Sequence, residues 1–415
     1  MWHPRTVIVD FASGVSDCRS ACRDRCGDRA DGDRLTSHPH HDGWCRPLPE
    51  GQPFPSVASL AEGQVALDRQ KLGKRPELLA RKWKRMAASP FAFLRGSVSL
   101  FDECLRREGS WAKGPSGVGS LIGDLHLENF GVFLADGGAP IFHVNDFDAL
   151  HDGPWRFDVL RLLTSVLLAR PELKLSGTEA QELARVTLEG HQLGVSGHRV
   201  APPAFVLQMC RAAAETPVEK LLKKQVEDGK VKRDDKHPPA PASVVKQMPS
   251  VIAQWLASLK KPISPGNIID VRRRISGTGS LGVERLVVLM EGDGSGLLLL
   301  DVKEVAFSAE RVVEAMRGAV KKPPALLGFA ELGHQQLVVR AMAAGEDKLA
   351  LDTLLPEQLP GMLRFLGAMA GQVHQRLARS RLKRWTPKEL QGLLASTRRL
   401  AVMHEEAFLE FCALI

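Results

Sequence analysis

Two polar loops flanking one short apolar hairpin constrain this chain more than any other feature. The first reads G-D-L-H-L-E-N-F-G over residues 123–131 and the second N-D-F-D over 145–148. Between them lie G-V-F-L-A, the turn Asp136-Gly137-Gly138 and I-F-H-V, a pattern that predicts two short paired strands. Phosphoryl transfer uses residue types of this kind. One carboxylate orients the attacking group and accepts its proton, while an asparagine and a second carboxylate hold Mg²⁺ against the phosphate oxygens. Asp and Asn also favour turns for their own sake. Turn chemistry alone, however, gives no reason for both loops to flank one hairpin at this spacing.

The rest of the chain is read by its period. Residues 1–55 are rich in Gly, Pro, Asp and His and predict a flexible leader. Within it Cys18, Cys22 and Cys26 recur every four residues, ahead of His38, His40, His41 and Cys45, without the paired spacing of a strong zinc site. Helical spacing runs from Val57 to Arg107 with a break at Ser89-Pro90, and again over 155–229. Residues 230–242 predict a Pro- and charge-rich linker or surface insertion. From Asp270 the pattern turns to strands, followed by a helix over Ser308–Val320, a short strand over Gln336–Met342, and helices to the end.

A second cluster lies in that β-rich region. Gly277, Gly279, Ser280 and Gly282 belong to G-T-G-S-L-G, which is followed by the strand-like R-L-V-V-L-M rather than by a helix. That context excludes a dinucleotide fingerprint, which opens a helix. It suits a flap between two strands whose N–H groups cover nucleotide phosphates. The next strand ends in D-V-K-E, placing Lys303 beside the flap as a point charge for phosphate.

These motifs carry a resemblance. G-D-L-H-L-E-N and V-N-D-F-D-A-L-H-D-G-P-W-R-F-D resemble the catalytic loop and metal-binding segment of the aminoglycoside phosphotransferase and choline kinase group. With R-M-A-A-S-P-F-A-F-L-R-G at 85–96, they also resemble the uncharacterised bacterial DUF2252 family, over most of residues 70–415. The kinase-like resemblance implies Asp124 as catalytic base, Asn129 and Asp146 as metal ligands, Asp148 as a further ligand, and Asp158 as a buried brace for the loop. His126 then orients the loop. The acidic partner of Lys303 is expected from the following helix, at Glu314 rather than Glu310. Two departures stand out: Ile122 occupies the position of the loop histidine in protein kinases, and Glu284 that of a usual valine.

The order of the motifs is reversed relative to ordinary kinases, because the flap follows the catalytic loop by about 150 residues. A circular permutation reconciles this. The expected fold is therefore α+β and two-lobed, protein-kinase-like with permuted element order. A mostly helical larger lobe (56–265) carries both loops, a small antiparallel-sheet lobe (266–345) carries the nucleotide-binding parts, and C-terminal helices (346–415) pack on the helical lobe. The expected activity is ATP-dependent phosphotransfer, requiring Mg²⁺ or Mn²⁺, to a hydroxyl of a small molecule or protein. The rivals are nucleotidyl transfer and a nucleotide-binding regulator without turnover. A net charge of +8 fits an anionic ligand, but aromatics are only 6% and do not interleave with the basic clusters, which argues against nucleic acid. There is no tyrosine to act as nucleophile or acid. No apolar run approaches a membrane span, and seven cysteines in a chain of 415 residues suggest a reduced, cytoplasmic setting. Arg95, Arg340 and Lys348 are further candidates for the cleft, with solvation the expected fate of Lys348. His374, among apolar residues, is expected to be a satisfied core histidine.

Overall fold

The computed structural model describes residues 56–107, 117–275, 283–292 and 296–415. The leader with its cysteines and histidines, and the flap residues Gly277, Gly279, Ser280 and Gly282, lie outside the described residues. The fold is mixed α+β, with helices predominating and small antiparallel sheets. No helix among the described residues is long and apolar enough to cross a membrane.

Four helices open the described chain: α1 (Val57–Leu72), α2 (Pro76–Met86), α3 (Pro90–Gly96) and α4 (Val98–Arg107). The break at Ser89-Pro90 has a local cause. The Ser89 hydroxyl accepts the Ala92 N–H and Pro90 occupies the first helical turn, where it costs no hydrogen bond. Strand β1 (Val118–Leu121) pairs antiparallel with β4 (His151–Pro154). Enclosed between them is the hairpin of β2 (Phe130–Leu134) and β3 (Pro140–Val144), in register from Phe130↔Val144 to Leu134↔Pro140. Helix α5 (Arg156–Leu168) follows and is buried along almost its whole length. Next come α6 (Gly177–Val195), started by a Ser176–Glu179 capping box, then α7 (Ala204–Glu215), α8 (Val218–Gln225) and the small hairpin β5 (Val226–Glu227) and β6 (Lys230–Val231).

Helix α9 (Ala242–Ser258) leads into a five-stranded antiparallel sheet of β7 (Ile268–Arg273), β8 (Arg285–Glu291), β9 (Leu297–Val305), β10 (Gly328–Leu332) and β11 (Gln335–Ala341), with α10 (Ala309–Ala319) between β9 and β10. The spatial order is β10-β11-β9-β8-β7. One sheet face buries Leu286, Val288, Leu300, Val302 and Val339 against Met248, Val251 and Trp255 of α9. The other face buries Val287, Leu289 and Leu299 against Leu221, Leu222, Val226 and Val231. From the sheet the chain returns through β12 (Asp347–Lys348), which pairs with β2 at Lys348↔Gly131, into α11 (Leu359–Leu377) and α12 (Pro387–Leu414).

Packing departs from the sequence-drawn divisions at two helices. Helix α9 falls before residue 266, yet its apolar face belongs to the sheet's core. Helix α10 falls within 266–345, yet Val312, Val313 and Met316 sit in the helical core. The expected linker at 230–242 is also pinned: the Lys236 and Pro238 carbonyls accept the Ile275 and Arg273 N–H groups along the edge at β7. Proline lacks a donor but keeps its acceptor, so it is tolerated at an edge.

The helical core is organised by the contact of α6 with α11. Gly190 and Gly194 on α6 face the Arg364 and Ala368 carbonyls, while Gly367 and Gly371 on α11 face those of Thr187 and His191. A Cβ at any of these four would run into opposing backbone, so the helices approach at main-chain distance. Gly367→Val should lower unfolding free energy by at least about 2 kcal/mol, measured by urea denaturation, whereas the same change at exposed Gly361, with open space around it, should be neutral or slightly stabilising, valine being the better helix former.

Candidate active site

The hairpin β2–β3 brings the two polar loops together. Asn129 makes the junction. Its Nδ2 donates to the Asp124 carbonyl at 2.9 Å and to the Asp146 carbonyl at 3.1 Å, and its main-chain carbonyl accepts the Asn145 N–H. Its Oδ1 is buried without a hydrogen-bond partner. Two carbonyl acceptors fix which end of the amide carries nitrogen. The site therefore holds a rigid, desolvated amide oxygen beside the Asp146 loop.

The Asp124 loop is braced from below. Asp158, on α5, accepts the Ile122 N–H at 2.7 Å and the Gly123 N–H at 2.9 Å. His374 of α11 faces the same carboxylate through Nε2 at 3.0 Å, and its Nδ1 faces His191 Nε2 at 2.9 Å. Gln192 continues the chain, accepting the Trp385 N–H through Oε1. Each polar group in this buried row has a partner, which fixes the orientation of both imidazole rings and holds the loop. Gly123 has φ +82° and lies against the Ala149 carbonyl, so glycine is required at this turn.

Asp124 is half-buried, and one of its oxygens is already engaged. Arg161 of α5 donates to Oδ1 through Nη2 at 2.5 Å and Nε at 3.0 Å, and also to the Leu94 carbonyl. Oδ2 faces His126 Nε2 at 3.9 Å, beyond hydrogen-bond reach. Burial raises the Asp124 carboxyl above its ordinary range, opposed by Arg161 and helped by Asp146. Burial pushes the His126 imidazole well below its usual value, reinforced by Arg95, Arg161 and Lys348, so it is neutral near pH 7. Its Nδ1 accepts the Glu128 N–H, an orienting role within the loop.

Across the cleft, Lys303 of β9 pairs with Asp148 and with Asp146 Oδ1, the latter at 3.4 Å. Lys348 Nζ lies 3.8 Å from Asp146 Oδ2. Although burial works to raise it, Lys303, Lys348 and Arg285 bring the Asp146 carboxyl down to about 2. Burial lowers the Lys303 ammonium while Asp146 opposes that shift. Two carboxylates and an unpartnered amide oxygen suit a hard cation that keeps water and substrate oxygens as its other ligands. No cluster of three or more His, Cys, Asp or Glu able to hold a metal occurs among the described residues.

Thus Asp124, His126, Asn129, Asp146, Asp148 and Lys303 lie together. Glu314 does not join them. It is exposed on α10, because Val312, Val313 and Met316 turn the opposite face inward, and the acidic partners of Lys303 come from the N-D-F-D loop instead. Arg95 pairs with Glu128, and Arg340 with Glu346. Arg161 is an addition from the structure, while Lys348, already a candidate, is exposed and lies beside Asp146. A buried arginine inside the apolar run of α5, three residues after Asp158, was the available signal for Arg161.

A cavity of about 540 Å³ opens beside Lys348, between α7, α8 and residues 343–353. Phe205, Met209 and Leu221 supply apolar lining, and Lys220 and Lys224 supply charge.

The model of an uncharacterized protein family conserved in bacteria, DUF2252, matches residues 74–236 and 203–413. The chain belongs to this family. Both polar loops, Lys303 and Lys348 fall within the matched residues, so the DUF2252 match takes in the cleft as a whole. No curated protein and no solved structure matches the chain.

Proposed function

We propose that this DUF2252 protein is an ATP-dependent, Mg²⁺- or Mn²⁺-requiring phosphotransferase of kinase-like, circularly permuted fold, acting on a hydroxyl group. The observation that carries the reading is the convergence of Asn129, Asp146, Asp148 and Lys303 on the Asp124 loop from two separate parts of the chain. The sheet supports it. Segment 276–282 joins β7 to β8, Lys303 stands on the adjoining β9, a helix follows, and β11 leads back toward the catalytic hairpin. That is the order of flap, lysine, helix and hinge-side strand that the kinase resemblance requires.

Each residue then has a task. Asp124, held by Arg161 at Oδ1, keeps Oδ2 to take the proton of the acceptor hydroxyl. Asn129 Oδ1, Asp146 and Asp148 would hold the metal, which when bound neutralises phosphate oxygens. Lys303, released from the carboxylates, would hold phosphate as a point charge. The 540 Å³ cavity is of small-molecule size and favours a small acceptor over a protein.

The test is ATP consumption in the presence of a bacterial small-molecule extract, followed by ³¹P NMR. ADP formation that disappears in Asp124→Asn supports the reading. Pyrophosphate in its place would assign nucleotidyl transfer, and ATP binding without any product would make the protein a regulator. The pH profile is a second check. Because the Asp124 carboxyl is raised, kcat/KM should fall on the acid side through a pKa above the ordinary aspartate value, where Asp146, at about 2, remains ionised. A profile without that acid limb would remove Asp124 as the base.

A further inference from the structure

The cleft-facing side of the five-stranded sheet carries a charge cluster that the phosphotransfer reading leaves without a task. Cross-strand register aligns its members. Arg285 of β8 lies opposite Lys303, and Arg340 of β11 lies opposite Asp301, which is two residues before Lys303 on the same face of β9. Arg285 grips Asp301 with Nε at 2.8 Å and Nη2 at 2.5 Å. Arg274 Nη1 approaches the same carboxylate at 3.1 Å, and Arg340 Nη2 stands 3.9 Å from it while bonding Glu346 at 2.6 Å. Three guanidinium groups thus gather on one carboxylate that is only 4% exposed, with Glu346 as second acid. Arg274 and Arg340 each keep 23% of the side chain open.

The neighbouring surface narrows what could bind there. Farther along the same face, Val287, Leu289 and Leu299 are covered by Leu221, Leu222 and Val231. That apolar stretch is therefore closed to an aromatic base, and the open part beside Lys303 is cationic. Guanidinium forks match phosphate oxygens in geometry and charge.

We propose that Arg274, Arg285 and Arg340 form a second anion subsite, next to Lys303, for a phosphate-class group. Its role in catalysis rests on the phosphotransferase reading. The group comes either from the nucleotide's own polyphosphate chain or from a phosphate already on the acceptor. Asp301 holds the three arginines in place and moderates their charge.

The probe is inorganic tripolyphosphate, without metal, in thermal unfolding of the full chain against NaCl of equal ionic strength. The wild type should gain at least about 2 °C in Tm over the salt control. Arg340→Gln should lose most of that gain. Asp301→Asn should unfold at a lower temperature yet show a larger tripolyphosphate increment, because the arginines lose their counter-charge. A purely structural ion cluster predicts no increment beyond salt in any of the three, and that result overturns the subsite. Competition between tripolyphosphate and ATP assigns the group to the nucleotide, whereas additive stabilisation assigns it to the acceptor. The subsite alone fails if tripolyphosphate is inert while Mg²⁺-ATP still stabilises the protein. The transferase reading alone fails in the reverse case.

Discussion

Asp124→Asn should reduce turnover by about 10²–10⁴-fold while leaving nucleotide affinity near that of the wild type. The substitution keeps shape but removes the proton acceptor at Oδ2, and the Arg161 bonds can still be made to the amide oxygen. A loss in kcat without a matching rise in KM for ATP separates this role from binding. Asp146→Ala should behave differently, because Asp146 interacts with Lys303 and Lys348 and lies beside the unpartnered Asn129 oxygen. Its loss should show chiefly as weakened metal affinity, with more Mg²⁺ needed for half-maximal turnover. Turnover of Asp124→Asn within threefold of wild type would remove the residue from the chemistry.

The largest stability effect should come from Asp158→Ala, at about 3–5 kcal/mol. That carboxylate accepts two main-chain N–H groups of the Asp124 loop and faces His374, all in a region closed to water. Truncation strands both donors and unlocks the row His374–His191–Gln192 beneath them. Denaturant unfolding measures the cost. Asp158→Asn keeps the volume but only one acceptor oxygen and should lose an intermediate amount, whereas a pure packing role predicts almost no loss for this near-isosteric change. A change under about 1 kcal/mol in the alanine variant would contradict the brace.

Much of this arrangement was legible because it is local. The period change at residue 270, the hairpin around Asp136-Gly137-Gly138 and the helix after Ser308 follow from apolar spacing and turn chemistry, and all appear where that chemistry puts them. The gathering of Asp124, Asn129, Asp146 and Asp148 is likewise mostly local, since one short hairpin carries both loops. Long-range pairings were less accessible. Lys348 is exposed, as expected, and also reaches Asp146 because β12 pairs with β2, a contact that no feature of its immediate neighbours announces. The gathering of Arg274, Arg285 and Arg340 on Asp301 depends on the register of β8, β9 and β11. Glu314 was the reverse case. The apolar pattern Val312, Val313, Met316 sets which face of α10 is buried and turns Glu314 outward, a consequence the helical period alone could have supplied.

The most direct test of the central claim is thermal unfolding with and without Mg²⁺-ATP, on the wild type, Asp146→Ala and Lys303→Ala. A ligand at about 100 times its Kd adds roughly 2.7 kcal/mol to the folded state. The cleft described here predicts a metal-dependent upward shift in the wild type that both variants lose. A folded wild type that shows no shift at millimolar ATP would contradict it.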